Sequence, residues 1–404
     1  MTLVYIAAAI LILMVLITIH ELGHYLAAKM VGIKVVEFAI GFGPAIFKRQ
    51  SKKTGEIFSI RWIPLGGFCA FEGQDDFKLP EEKKKSDEGY QSLSSLIDKE
   101  RERTGEFPLA KGMAFDAAQP WRRLVVLFSG AFFNFVSAIL FSVVLLMVVG
   151  YNQGVRVHDF TENNANVDPG GIHHVLEPGD VIIAFNGQEF TLLNGFASVL
   201  SGLDPHPEEP HTITFIRDGE IETETFTLGR IDGTTSYGLG VYIGRPEGRP
   251  DVTPAEIVFR PMNFFSALGR AFLFAFELAW LILTFLWMLV SGQIGLSGIG
   301  GPISTITVMA ESVGTSLINV LLLFPLLSVN LAVFNLLPVP ALDGARMVFV
   351  GVEWVRGKPI NPVLEGKIHI VGLIMLMALV LLADINFLFG GGRGMLEMLG
   401  RWRL

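Results

Sequence analysis

Five stretches of this chain are apolar enough to lie in a bilayer, and no other feature restricts its fold as strongly. Residues 2–19 carry no charged side chain, and further apolar runs occupy 124–149, 271–290, 317–342 and 368–389. A helix needs about 20 such residues to cross the hydrocarbon core. Only helices or closed barrels satisfy every backbone polar group there. Charged residues make up 17% of the chain, against about a quarter in an ordinary soluble protein. The sequence therefore predicts a polytopic α-helical membrane protein. No basic segment precedes the first run and no small-residue cleavage site follows it, so a retained helix is expected rather than a signal peptide.

Charge is distributed unevenly between these runs. Residues 29–123 hold 17 of the 31 Lys and Arg, whereas 151–263 hold six against 17 Asp and Glu. The positive-inside rule places the first segment in the cytoplasm and the second outside. The loop 291–316 has no Lys or Arg, but Arg346, Arg356, Lys358 and Lys367 follow the 317–342 run. Keeping those four cations inside requires that 271–290 lie in the outer leaflet without crossing. About four spans result, with both termini outside. The net charge of −8 argues against a nucleic-acid partner, which would select a basic face. Cys69 is the only cysteine and reads as a packing residue.

This gives an expected organisation. Residues 1–28 form a first transmembrane helix and 29–123 a cytoplasmic segment. A second transmembrane helix covers 124–150, and a soluble domain covers 151–230. A linker, 231–263, leads to a membrane-associated helix and loop at 264–316. A transmembrane helix at 317–345, a cytoplasmic loop at 346–367, a last transmembrane helix at 368–389 and a tail at 390–404 complete the chain.

Within the cytoplasmic segment, GEIFSIRWIPLGGFCAFEG (55–73) alternates apolar and polar residues around Gly66 and Gly67. It reads as a β-hairpin or small sheet beside the membrane. The charged stretch after it contains a candidate short helix at 91–103 and is expected to be solvated. In the outer segment, LEPGDVIIAFNGQEF carries a strand and a turn at Asn186–Gly187, and HTITFIRDGEIETETFTL is a hairpin with Asp218–Gly219 at its tip. TLLNGFASVLSGL (191–203) between them has helical spacing. Strands flanking a short helix, with the LEPGDVIIAFNGQ strip, resemble a PDZ domain. One such α+β domain is expected outside.

The first apolar run is followed at once by His20, Glu21 and His24, in HELGH. Ionisable groups at membrane depth are costly, by about 2.5–3.5 kcal/mol each on insertion scales, and mark function by default. Residues four apart share a helix face. His20 and His24 can thus point at one metal ion, with Glu21 beside it as general base, which is the zinc-metalloprotease arrangement. A catalytic zinc wants a third protein ligand and an open position. Asp343, in NLLPVPALDG, ends the fourth apolar run on the same side in the four-span topology. Glu277 and Asp384 have no histidine at helical spacing. His173, His174, His206 and His211 lie in the outer segment and read as solvated or structural.

HELGH in the first span, NLLPVPALDG in a late span and a PDZ-like domain between them resemble the site-2 protease family, in its bacterial regulator-of-sigma-E branch. FAIGFGPAIFKR and RWIPLGGFCAFEG are similar to the segment that follows the family's first span. The resemblance implies a zinc-dependent intramembrane endopeptidase in the bacterial cytoplasmic membrane, with its active site near the cytoplasmic side. Its substrates would be single-span proteins such as anti-sigma factors, and remnant signal peptides. It implies that His20, His24 and Asp343 bind Zn2+ and that Glu21 is the base. Asn335, in the Asp343 motif, Asn134, in SGAFFNF, and Gly66 and Gly67 would contact substrate. Two other classes compete: a membrane metal transporter or sensor, and a PDZ scaffold with an inactive core.

Overall fold

The computed structural model describes residues 3–74, 110–158, 175–193, 210–227, 229–230, 237–238, 256–293 and 301–389. The short helix expected at 91–103 and the tail 390–404 lie outside the described residues, as does most of the helix expected at 191–203. The chain forms two compact units, Met1–Ser142 with Ala271–Leu396, and Val143–Arg270.

The helices are α1 (Leu3–Val31), α2 (Pro120–Val148), α3 (Phe264–Val290), α4 (Pro302–Thr315), α5 (Leu317–Leu336), α6 (Asp343–Arg356) and α7 (Pro362–Phe389). Five of them, α1, α2, α3, α5 and α7, are long and apolar enough to cross a membrane. The protein is a multi-pass membrane protein. With 27 residues, α3 is no shorter than a spanning helix needs, so the four-span expectation rests on charge distribution alone.

In the first unit α1 buries Ala9, Leu16, His20, Gly23, His24, Ala27 and Ala28, a set whose spacing keeps to one side of a helix. Its first half meets Met309 and Ala310 of α4 and Leu323 of α5 in one apolar cluster. Sequence patterning reads 291–316 as part of a loop, yet α4 forms there. Pro302 opens the helix, and the Asp384 carboxylate of α7 accepts from the Ile303 and Ser304 amides at 3.2 and 3.0 Å. Those are amides that a helix start leaves unpaired. Arg123 of α2 bridges to Glu353 of α6 at 2.5 Å.

Between α1 and α2 lie two long bent strands, β1 (Val35–Gln50) and β2 (Ile57–Phe71). The segment around 55–73 pairs with β1, upstream of it, as well as folding near itself. Residues 57–61 pair with 45–50 on one side, and residues 35–40 lie between 57–60 and 67–71. The partner numbers rise together from Glu37–Ile57 to Ile40–Ile60 but run oppositely from Phe38–Cys69 to Ile40–Gly67. Four short segments thus make one small sheet. Two buried carboxylates anchor it. Glu37 accepts from Arg61 Nη2 at 2.7 Å and Ser59 Oγ at 2.5 Å. Glu56 is held by Lys29, by Tyr25 Oη at 3.1 Å and by Thr54 Oγ1 at 3.0 Å.

In the second unit a six-stranded sheet has the order β10-β3-β4-β6-β7, with β5 on β4. Its strands are β3 (Gln153–Arg156), β4 (Val181–Phe185), β5 (Gln188–Glu189), β6 (His211–Arg217), β7 (Glu220–Phe226) and β10 (Glu256–Phe259). A separate two-stranded ribbon pairs β8 (Gly229–Arg230) with β9 (Tyr237–Gly238). Both hairpin tips have left-handed backbone, at Asn186–Gly187 (φ 48° and 74°) and Asp218–Gly219 (φ 51° and 88°), as type I′ turns require. Phe185, Phe190, Phe215 and Phe226 with Val155, Ile182 and Ile213 form the core. The segment read as a linker, 231–263, supplies the edge strand β10, paired with β3 at Val258–Gly154. Arg217 grips buried Asp180 with two bonds, Nε to Oδ1 at 3.0 Å and Nη2 to Oδ2 at 2.6 Å. This bond holds the Arg217 guanidinium protonated even more firmly than usual. His211 is buried beside Phe185 and Phe226 and meets Asn186 at 3.0 Å, so it is structural.

Candidate metal centre

HELGH lies in the second half of α1, where helical spacing stacks His20 beneath His24 with their rings edge to face, centroids 4.6 Å apart. Asp343 is the first residue of α6, just beyond the turn that follows α5. Over a separation of more than 300 residues, its Oδ2 comes to 3.1 Å from His20 Nε2 and 3.1 Å from His24 Nε2. The two Nε2 atoms are themselves 3.1 Å apart. These three residues are the one group among the described residues in which such donor atoms converge.

The other ring nitrogens are already engaged. His24 Nδ1 donates to the Val126 carbonyl of α2 at 2.7 Å, and His20 Nδ1 lies 3.3 Å from the Asn134 side-chain amide. His24 Nδ1 thus carries the proton and its Nε2 presents a lone pair to the centre; His20 does the same with the Asn134 amide turned so that its buried Oδ1, otherwise without a partner, accepts from Nδ1. Three acceptor atoms in a tight triangle repel one another unless a cation sits between them. Tetrahedral zinc with bonds of about 2.0–2.1 Å spaces its ligands by roughly 3.3 Å, close to the 3.1 Å found. The residues fit zinc, with the outer partners that orient metal-bound imidazoles.

Glu21 sits on the neighbouring face, against the small sheet. Its carboxylate interacts with the Cys69 backbone amide, and a Cβ built on Gly67 would lie 3.3 Å from its Cγ. Gly66 is one residue further, with φ of 117° and the Phe42 ring packed directly against it. Cys69 is half-buried, and burial, with Glu21 and Glu56 nearby, pushes its thiol well above the ordinary value. Asn134 is fully buried behind His20. Sequence reading makes it a substrate contact; in the structure its side chain adjoins the His20 ring. Asn335 is half-buried on α5 and donates to the Leu331 carbonyl of its own helix at 2.9 Å. It is not one of the converging residues.

Sequence reasoning missed Gly130 and Gly23. A Cβ on Gly130 would stand 2.5 Å from His24 Nε2, and one on Gly23 would stand 2.5 Å from the Ser129 carbonyl. Only bare backbone lets α2 come this close to the two imidazoles. The signal was present in SGAFFN, where Gly130 and Asn134 are four apart and share a face.

The sequence profile of peptidase family M50 matches residues 8–379. Among curated proteins, zinc metalloprotease RasP of Oceanobacillus iheyensis is 29% identical, the match covering 94% of this chain and 98% of that protein. Zinc metalloprotease RasP of Geobacillus kaustophilus is 28% identical over 95% and 98%. The regulator of sigma-W protease RasP of Bacillus subtilis is 27% identical over 94% and 97%. The chain belongs to peptidase family M50, the site-2 proteases, and is a zinc-dependent membrane metalloendopeptidase.

Proposed function

We propose that the protein cuts the membrane segments of single-span proteins from within the bilayer. The observation that carries this reading is the 3.1 Å triangle of His20, His24 and Asp343, built at the ends of apolar helices with Glu21 alongside. His20, His24 and Asp343 would hold zinc, which would supply Lewis acidity toward water and the peptide carbonyl. Glu21, beside the centre, would take the proton of the attacking water and give it to the leaving amine. Val126 and Asn134 orient the two imidazoles, and Asn335 contacts the substrate beyond them.

A helical peptide bond is shielded by its own hydrogen bonds, so the substrate must unwind before it is cut. Residues 67–70 of β2, with Gly67 keeping a side chain clear of Glu21, offer an edge on which an unwound segment adds as a strand. The sheet of the second unit is the PDZ-like domain, held outside the membrane, with four spans and the active site toward the cytoplasm. The name of the Bacillus subtilis relative, a regulator of sigma-W protease, supports anti-sigma factors as one substrate class, in a bacterial cytoplasmic membrane.

Glu21→Gln in purified enzyme with a single-span substrate tests the reading. Cleavage is expected to fall by about 10²–10⁴-fold with zinc retained, and unchanged cleavage overturns it. Proline substitutions along 68–70 that leave turnover intact would remove the strand-addition step. A cysteine at exposed Gln293, in a chain with Cys69 replaced, should react from outside. Labelling from the cytoplasmic side overturns the four-span topology.

A further inference from the structure

The loop that delivers Asp343 is strained in a specific way. The Leu342 amide donates to the Val339 carbonyl at 3.1 Å, closing a four-residue turn with Pro340 and Ala341 at its centre. Ala341 has φ of 81°. Proline followed by a positive φ is the type II pattern, and its third position belongs to Gly or Asn. An alanine there is strained and persists only where the surroundings dictate it.

Two residues of α7 supply that dictation. His369 Nδ1 accepts from the Ala341 amide at 3.0 Å. Three residues on, Gly372 receives Pro340 so closely that a Cβ on it would lie 2.1 Å from Pro340 Cβ. The His369 ring also packs edge-on against Phe349 of α6, centroids 5.5 Å apart, and α6 is the helix that starts at Asp343. A ring nitrogen that accepts from an amide carries no proton. His369 is therefore neutral with its hydrogen on Nε2, which faces Glu365 Oε1 at 4.0 Å.

We propose that His369 is a positioning residue for the metal centre: by accepting the Ala341 amide it locks the left-handed turn that sets Asp343 opposite His20 and His24. This rests on the reading of Asp343 as a zinc ligand. His369 touches no donor atom of the centre; it acts through the turn two residues before the ligand.

The test is zinc retention against a chelator in purified protein, with cleavage measured alongside. Asp343→Asn should lose zinc; if it does not, the ligand reading itself fails. His369→Phe keeps the ring's packing but not the acceptor, and should release zinc roughly tenfold faster, the lower end of outer-partner effects. Two rescues separate the turn from general packing. His369→Asn places an amide oxygen where Nδ1 stood and should restore retention. Adding Ala341→Gly to His369→Phe removes the need for the lock, because glycine adopts φ of 81° freely, and should restore it too. Zinc release from His369→Phe at the unsubstituted rate overturns the proposal, as does failure of the glycine rescue.

Discussion

Two carboxylates lie among the apolar helices, Asp384 buried and Asp343 half-buried, and they face opposite kinds of atom. Asp384 of α7 meets backbone N–H groups at Ile303 and Ser304. Its charge is answered by the start of α4, where amide donors are unpaired and the helix dipole favours an anion. Asp343 meets two imidazole nitrogens whose partner nitrogens are already occupied. In the proposed zinc site it faces two lone pairs, which a cation between them would answer. Residue type does not separate the two acids. The polarity of the facing atoms does.

The largest expected effect breaks the comparison outright. Asp343→Asn should abolish both zinc binding and cleavage, whereas Asp384→Ala should leave zinc bound and lower stability by about 2 kcal/mol, the cost of losing charge-assisted bonds to buried amides. Zinc analysis and thermal unfolding of the two purified variants check this; equal zinc loss in both would dissolve the distinction. Gly130→Ala comes next, since its methyl group would push against His24 Nε2. Zinc affinity is expected to fall roughly 10–100-fold, read by chelator competition, with the fold retained.

A third acid extends the comparison to the other unit. Asp180 faces donors throughout, from Arg217 and the Glu177 amide, so it belongs with Asp384. Asp180→Asn should destabilise the six-stranded sheet by about 1 kcal/mol, because Arg217 is partly solvated, and leave zinc untouched. The smallest effect concerns Cys69. Its thiol titrates above the ordinary value, so thiolate is scarce at neutral pH and appears only as pH rises past that raised value. Alkylation by iodoacetamide should be slow at pH 7 and accelerate at higher pH than for a free cysteine. Ready modification at pH 7 would mean that the sheet does not shield this edge.

Local signals carried much of the site. The neighbourhood of His20, Glu21 and His24 is legible because one turn of helix relates them, and the convergence of Asp343 on the two imidazoles was signalled by the NLLPVPALDG motif. The contacts that shape the site are the ones hidden from the sequence. Asn134 against His20, Gly130 against His24 and His369 against Ala341 join segments 28 to 114 residues apart, or depend on the absence of a side chain. β1 escaped notice for a related reason: its pairing partners straddle a turn, so no single stretch shows a complete hairpin. The mixed composition of PISTITVMAESVGT conceals α4 until Asp384, which reads only as an oddly placed acid, is seen capping it. Asp218–Gly219 and Asn186–Gly187 were readable because a type I′ turn is decided by two adjacent residues.

The closeness of α1 and α2 fixes a direction of traffic. Gly23 sits against the Ser129 carbonyl and Gly130 against both imidazoles, and Ser129, Gly130 and Ala131 are all buried. That wall closes the α2 side of the two imidazoles. Under the proposed mechanism, water and peptide arrive at Glu21 from the side of the small sheet. A blocking compound that anchors on 66–70 would stand in that entrance without needing to bind the metal.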